Sequence, residues 1–148
     1  MLRRCQSDSC HARQPTYTDC VVCDEWTKFS NFRVWLKLQE RLHGSLDGLQ
    51  LDKDIIDPSN KVYCPEKCAF VSQSINLFVV DRSRFRGEYP FGKKVTLGQY
   101  ITPEEAHEAW RKQKHDYSCM LADSCVDKRV AQSLRLRYAL PTNQSTEV

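Results

Sequence analysis

The stretch from Leu49 to Asn76 carries the pattern that most restricts what this chain can become. Apolar and polar side chains alternate from Leu49 to Ile56, with Leu49, Leu51 and Ile55 set against Gln50, Asp52 and Asp54. A period of two marks a half-buried strand. Asp57-Pro58-Ser59-Asn60 follows as a turn. Val62, Tyr63 and then Ala69 to Val71 read as a returning strand around a Cys64-Pro65-Glu66-Lys67-Cys68 corner, and Ser72 to Asn76 opens a short helix. Strand, turn, strand and helix in that order predict a small ββα core. In such a core Asp52, at the end of the first strand, and Asn76, in the helix, converge on one cation. A carboxylate and an amide are hard oxygen donors that suit Mg²⁺ or Mn²⁺.

The flanks are predicted to be mainly helical. Residues 1–19 are polar and turn-rich, whereas Trp26, Phe29, Phe32, Trp35 and Leu36 follow helical spacing up to Leu42, and Gly44 ends the run. The large aromatics there read as core. A second unit begins near residue 77, with strands expected at Leu77–Val80 and Val95–Tyr100. Thr102-Pro103-Glu104-Glu105 is a strong helix start: a hydroxyl cap, proline in the first turn and acids at the positive end of the dipole. That helix is expected to bury Ala106, Ala109, Trp110 and Gln113, and a further helix is expected over Val126–Tyr138. The predicted class is α+β: a ββα module with a cysteine-containing N-terminal segment over 1–76, a unit with a short sheet and helices over 77–140, and a disordered tail over 141–148.

Charge separates the halves. Residues 1–76 hold ten basic and ten acidic side chains, whereas residues 77–140 hold twelve basic and eight acidic ones. Arg82, Arg84, Arg86, Lys93 and Lys94 concentrate the excess between the two expected strands. Such residues suit the phosphates of double-stranded DNA, contributing affinity more than sequence choice. No apolar run approaches the ~20 residues that span a bilayer, and the basic N-terminus lacks a signal peptide's apolar stretch. No membrane partner is expected, and the location expected is the cytoplasm. The eight cysteines then read as reduced thiols or metal ligands rather than disulfides. Cys20-x-x-Cys23 and Cys64-x-x-x-Cys68 form two half-sites that a structural Zn²⁺ could join, the alternative being free thiols.

A resemblance adds to this reading. Val22-Cys23-Asp24-Glu25-Trp26, Phe29-Ser30-Asn31-Phe32, Leu51-Asp52-Lys53-Asp54-Ile55, Asn60-Lys61-Val62-Tyr63, Pro65-Glu66-Lys67-Cys68 and Phe70 to Asn76 resemble a family of bacteriophage HNH-type endonucleases. Pro90-Phe91-Gly92, Leu97-Gly98-Gln99-Tyr100 and Thr102 to Trp110 resemble the Apetala-like DNA-binding unit that such proteins often carry at the C-terminal end. The resemblance implies metal-dependent hydrolysis of DNA phosphodiester bonds, with Asp52 and Asn76 as metal ligands. It also implies a histidine general base directly after Asp52, and Lys53 occupies that place; the substitute base is then either Asp54 or a metal-bound water. The motif's central asparagine falls either to Asn60, in the turn, or to the position held by Lys67. A catalytically silent protein that binds DNA or a host protein is the alternative function, and Lys53 favours it.

Overall fold

The computed structural model describes residues 1–79 and 97–139. The chain divides into two compact units, residues 1–83 and 84–148. The mixture of helix with small sheets agrees with the α+β class.

The first unit opens with two short helices, α1 (Leu2–Gln6) and α2 (Asp8–Arg13), and a tight turn at Pro15–Tyr17. Strand β1 (Val21–Val22) leads to α3 (Asp24–Thr27) and α4 (Phe29–His43). The helical spacing extended across both, but the backbone is extended at Lys28 and splits the run; Asn31 Nδ2 donates to the Glu25 carbonyl at 3.0 Å across the break. Gly44 closes α4 with φ of 77°, the left-handed turn that favours glycine. Trp26 and Trp35 do form the core and Phe32 packs against it, whereas Phe29, expected there too, is 72% exposed. Trp26 and Trp35 lie 4.7 Å apart between ring centres, and Phe70 stacks on Trp35 at 5.7 Å. Cys20, Tyr63 and Cys68 complete the buried cluster.

Strand β2 (Leu49–Asp52) pairs antiparallel with β4 (Ala69–Ser72), aligning Leu49 with Ser72 and Asp52 with Ala69. Leu51 and Phe70 face the aromatic core. Ala69 and Val71 therefore face the other way, and α5 (Gln73–Val79) packs on the pair with Ile75 and Phe78 buried. Strand β3 (Val62–Tyr63) is not part of the returning strand as expected. It pairs parallel with β1, aligning Val21 with Val62 and Val22 with Tyr63.

The strand expected at Leu77–Val80 is a correction: its described residues are the end of α5. The Ser72 hydroxyl accepts from the Ile75 N–H at 3.3 Å and starts a helix there. Ile75 and Phe78, three residues apart, then bury one helical face rather than alternating. Helix α5 thus carries the first unit past residue 77.

In the second unit residues 97–102 contain no strand, so the described residues show none of the short C-terminal sheet. Helix α6 (Pro103–Asp123) starts where the sequence placed it. Thr102 Oγ1 accepts from the Glu105 N–H, and Glu105 Oε2 accepts from the Thr102 N–H, both at 3.2 Å. Helix α7 (Lys128–Arg137) runs back along it, capped by Asp127, whose carboxylate accepts from the Arg129 N–H at 2.9 Å. The seam lies further along α6 than expected. Tyr117, Ser118, Leu121 and Ala122 are buried against Val130, Ala131 and Leu134, whereas Trp110 is 40% exposed. Residues 82–94 and 141–148, with the five candidate phosphate-binding side chains and the expected tail, lie outside the described residues. Among the described residues, no helix is long and apolar enough to cross a membrane.

Candidate functional site

Asp52 ends β2 and turns its carboxylate back on the chain. Oδ1 accepts from the N–H groups of Asp54 and Ile55, each at 2.6 Å. Burial pushes the carboxyl above its usual range, and those two donors work against the shift. Oδ2 has no hydrogen-bond partner among the described residues. Gln50, two residues earlier, shares the face with Asp52. From α5, Asn76 reaches the same face: its Nδ2 donates to Gln50 Oε1 at 2.7 Å. The fold thus gathers Asp52 and Asn76 on one side of β2. Gln50 is the member that the motif reading missed, although the alternation that singled out Asp52 also pointed to it.

Lys53 goes the other way. It is 5% exposed, and its Nζ binds the Asp54 carboxylate and donates to the Asn60 carbonyl at 3.2 Å. The Tyr63 ring centre lies 6.0 Å from it. Burial alone would lower the lysine, but the Asp54 carboxylate outweighs it and holds the ammonium above its ordinary value. An ammonium so held cannot accept a proton from water. Asn60, 8% exposed, is a clamp. Its Nδ2 donates to the carbonyls of Lys53 and Val62 at 2.8 Å, and its Oδ1 accepts from the Val62 N–H at 3.1 Å. Of the candidate catalytic set, Lys53 and Asn60 therefore form a buried knot beneath the loop, with the half-exposed Asp54 carboxylate at its edge. Lys67, the other position for the motif's asparagine, pairs with Asp57 at 3.1 Å. The unit's two histidines are placed elsewhere: His11 Nε2 bonds the Arg4 carbonyl at 2.9 Å, and His43 ends α4.

The four candidate zinc thiols divide. The β1–β3 register continues with the Cys23 N–H donating to the Tyr63 carbonyl at 3.0 Å, which sets Cys23 beside Cys64. Cys20, at the other end of β1, is buried and donates its thiol to the Thr16 carbonyl at 3.8 Å. Among the described residues, no three His, Cys, Asp or Glu side chains are grouped so as to hold a metal. As arranged, the four do not form a closed thiolate site.

Burial pushes the Cys68 thiol from 9.0 to about 12, against a backbone N–H from Cys64. A group raised in the folded state contributes stability below its unfolded value and loses it as pH rises through the folded one. The metal-free protein should therefore be equally stable from pH 6 to 8 and weaken between about pH 9 and 12, at up to about 1.4 kcal/mol per pH unit for this thiol. Tyr63, pushed from 10.0 to about 12, adds to the loss above pH 10. Urea titrations across that range, with Cys68→Ala shallower than the parent between pH 9 and 10, would verify it. Bound zinc would keep the thiol ionised, so a flat profile together with about one zinc per chain would restore the metal reading.

Comparison of the chain with protein-family models, with curated proteins and with solved structures finds no match.

Proposed function

We propose that the protein is an HNH-like DNA endonuclease that hydrolyses phosphodiester bonds with Mg²⁺ or Mn²⁺. One observation carries the reading: an antiparallel pair followed by a helix sets Asp52 and Asn76 on a single face. The donor set fits the ion. One carboxylate and one amide oxygen are hard ligands, and Mg²⁺ commonly takes one or two protein groups while keeping its own waters. When bound there, the cation would polarise a DNA phosphate and stabilise the leaving oxygen. Asp52 would hold the ion by charge and Asn76 by its carbonyl oxygen. Asp54, half exposed and paired with the Lys53 ammonium, or a metal-bound water would take the place of the missing histidine base. The basic residues between 82 and 94 supply the phosphate contacts, so duplex binding should weaken steeply with added salt.

The second reading is a protein that binds DNA, or a host protein, without cutting. Its support is Lys53, which stands where an HNH enzyme carries its base and is turned into the core. Supercoiled plasmid incubated with Mg²⁺ or Mn²⁺ separates the two. Nicked or linear product that Asp52→Ala abolishes supports the enzyme. A salt-sensitive gel shift with no product supports the silent binder.

A further inference from the structure

Helix α4 buries one side against the aromatic core and leaves two rows of side chains facing outward. Val34, Leu38 and Leu42 recur every fourth residue and are 63%, 52% and 44% exposed. That spacing stacks them along one side of the helix. Arg33, Lys37 and Arg41, each one residue earlier, form a second exposed row beside them. None of these three bases makes a hydrogen bond or an ion pair among the described residues. Scattered exposed aliphatics are ordinary, whereas contiguous ones mark contact surfaces. We propose that this face of α4 docks an amphipathic helix of a partner protein. The partner's aliphatic row would meet Val34, Leu38 and Leu42, and its acidic row would meet Arg33, Lys37 and Arg41.

The charge pattern selects this occupant. The aliphatic row lies between the bases and the buried Trp35 and Gln39, so whatever covers it meets bases along one flank only. A second copy of the chain fits poorly. Packed antiparallel on its own face, α4 sets its three bases against the same three of the copy. Packed parallel, it sets them against a flank on which α4 carries no acid, since its one acidic residue, Glu40, lies on the side of the bases. Duplex DNA offers anions to the bases but no apolar row to the aliphatics. A bilayer suits a helix with a broad apolar face, and this row is one residue wide. The face is also separate from the proposed cation site. Trp35 stacks on Phe70, so α4 covers the Leu51 and Phe70 side of the β2–β4 pair, and Asp52 alternates to the other side.

The probe is a synthetic, fluorescein-labelled helical peptide with leucine at every fourth position and glutamate directly before each leucine, the antiparallel complement of α4. A twin peptide carries lysine in place of each glutamate. Fluorescence anisotropy with the full chain at low salt should show binding of the acidic peptide and not of its basic twin. Leu38→Ser should weaken that binding about tenfold or more. The double variant Lys37→Glu with Arg41→Glu should lose the acidic peptide to a similar or greater extent and gain the basic one. A folding defect cannot produce that exchange of partner. A parent that binds both peptides alike, or neither at micromolar concentration, overturns the proposal. Phosphatidylglycerol vesicles or duplex DNA held through Leu38, with the acidic peptide unbound, overturn it in favour of a membrane or a nucleic acid. A parent dimer that Leu38→Ser makes monomeric in sedimentation overturns it in favour of a second copy. Because these side chains are exposed, melting temperatures should stay level; if Leu38→Ser is poorly folded, Leu38→Gln makes the same comparison.

Discussion

Alanine at Asp52 or at Asn76 is expected to lower Mg²⁺-dependent plasmid cleavage by about 10²- to 10³-fold or more, the scale seen when a group that stabilises transition-state charge is removed. The two substitutions differ in what else they disturb. Asp52→Ala also removes the acceptor of the Asp54 and Ile55 N–H groups, loosening the turn after β2. Asp52→Asn is the cleaner variant. Its amide oxygen still accepts both donors, yet the charge is gone. Burial already disfavours that charge, so the metal-free Asp52→Asn protein should be at least as stable as the parent at neutral pH. A stable, DNA-binding and inactive Asp52→Asn protein is the expected outcome, read from plasmid nicking, gel shift and thermal melting together. Cleavage at the parent rate in Asp52→Asn would remove this face from the chemistry.

How far the sequence revealed this arrangement depended on the length of each pattern. The alternation from Leu49 to Ile56 found β2, although the strand ends at Asp52, and the short apolar run at Ala69 to Val71 found its partner. The end of α5 was misread because a short apolar run such as Leu77–Val80 suits a strand and a buried helix turn equally well. The pairing of β1 with β3 left no trace at all. Two residues carry no period, and a parallel partner 41 positions away is fixed by tertiary packing. Thr102 shows the opposite case: capping is local chemistry, so four consecutive residues announced the start of α6. Lys53 is the most instructive position. The alternation that put Asp52 on the polar face put Lys53 with Leu51 and Ile55 on the core face. The family resemblance drew attention to its chemistry as a base, and its direction was already written in the strand.

That direction sets the outcome of removing either member of the Lys53–Asp54 pair. Breaking a fully buried pair by deleting one partner costs about 3–5 kcal/mol, because the charge left behind has neither water nor counter-ion. Here the two sides are unequal: the lysine side chain is 6% exposed and the aspartate 50%. Asp54→Ala strands the buried ammonium against the Asn60 carbonyl, and should cost roughly 2–3 kcal/mol, somewhat below the fully buried case. Lys53→Met leaves only a half-exposed carboxylate, which water can solvate, and replaces the ammonium by an apolar chain of similar length. Its cost should be less than about 1 kcal/mol. Urea unfolding at neutral pH measures both, and equal costs would show that the burial difference does not govern the pair. The same proteins test the chemistry. Since Lys53 points away from Asp52, Lys53→Met should cleave plasmid within a few-fold of the parent, and loss of cleavage in a well-folded Lys53→Met protein would make the lysine part of the reaction. Lys53→His should fail to raise the rate for the same reason: an imidazole on this side of β2 would enter the knot with Asn60 and Tyr63 and would not meet the water it is meant to activate.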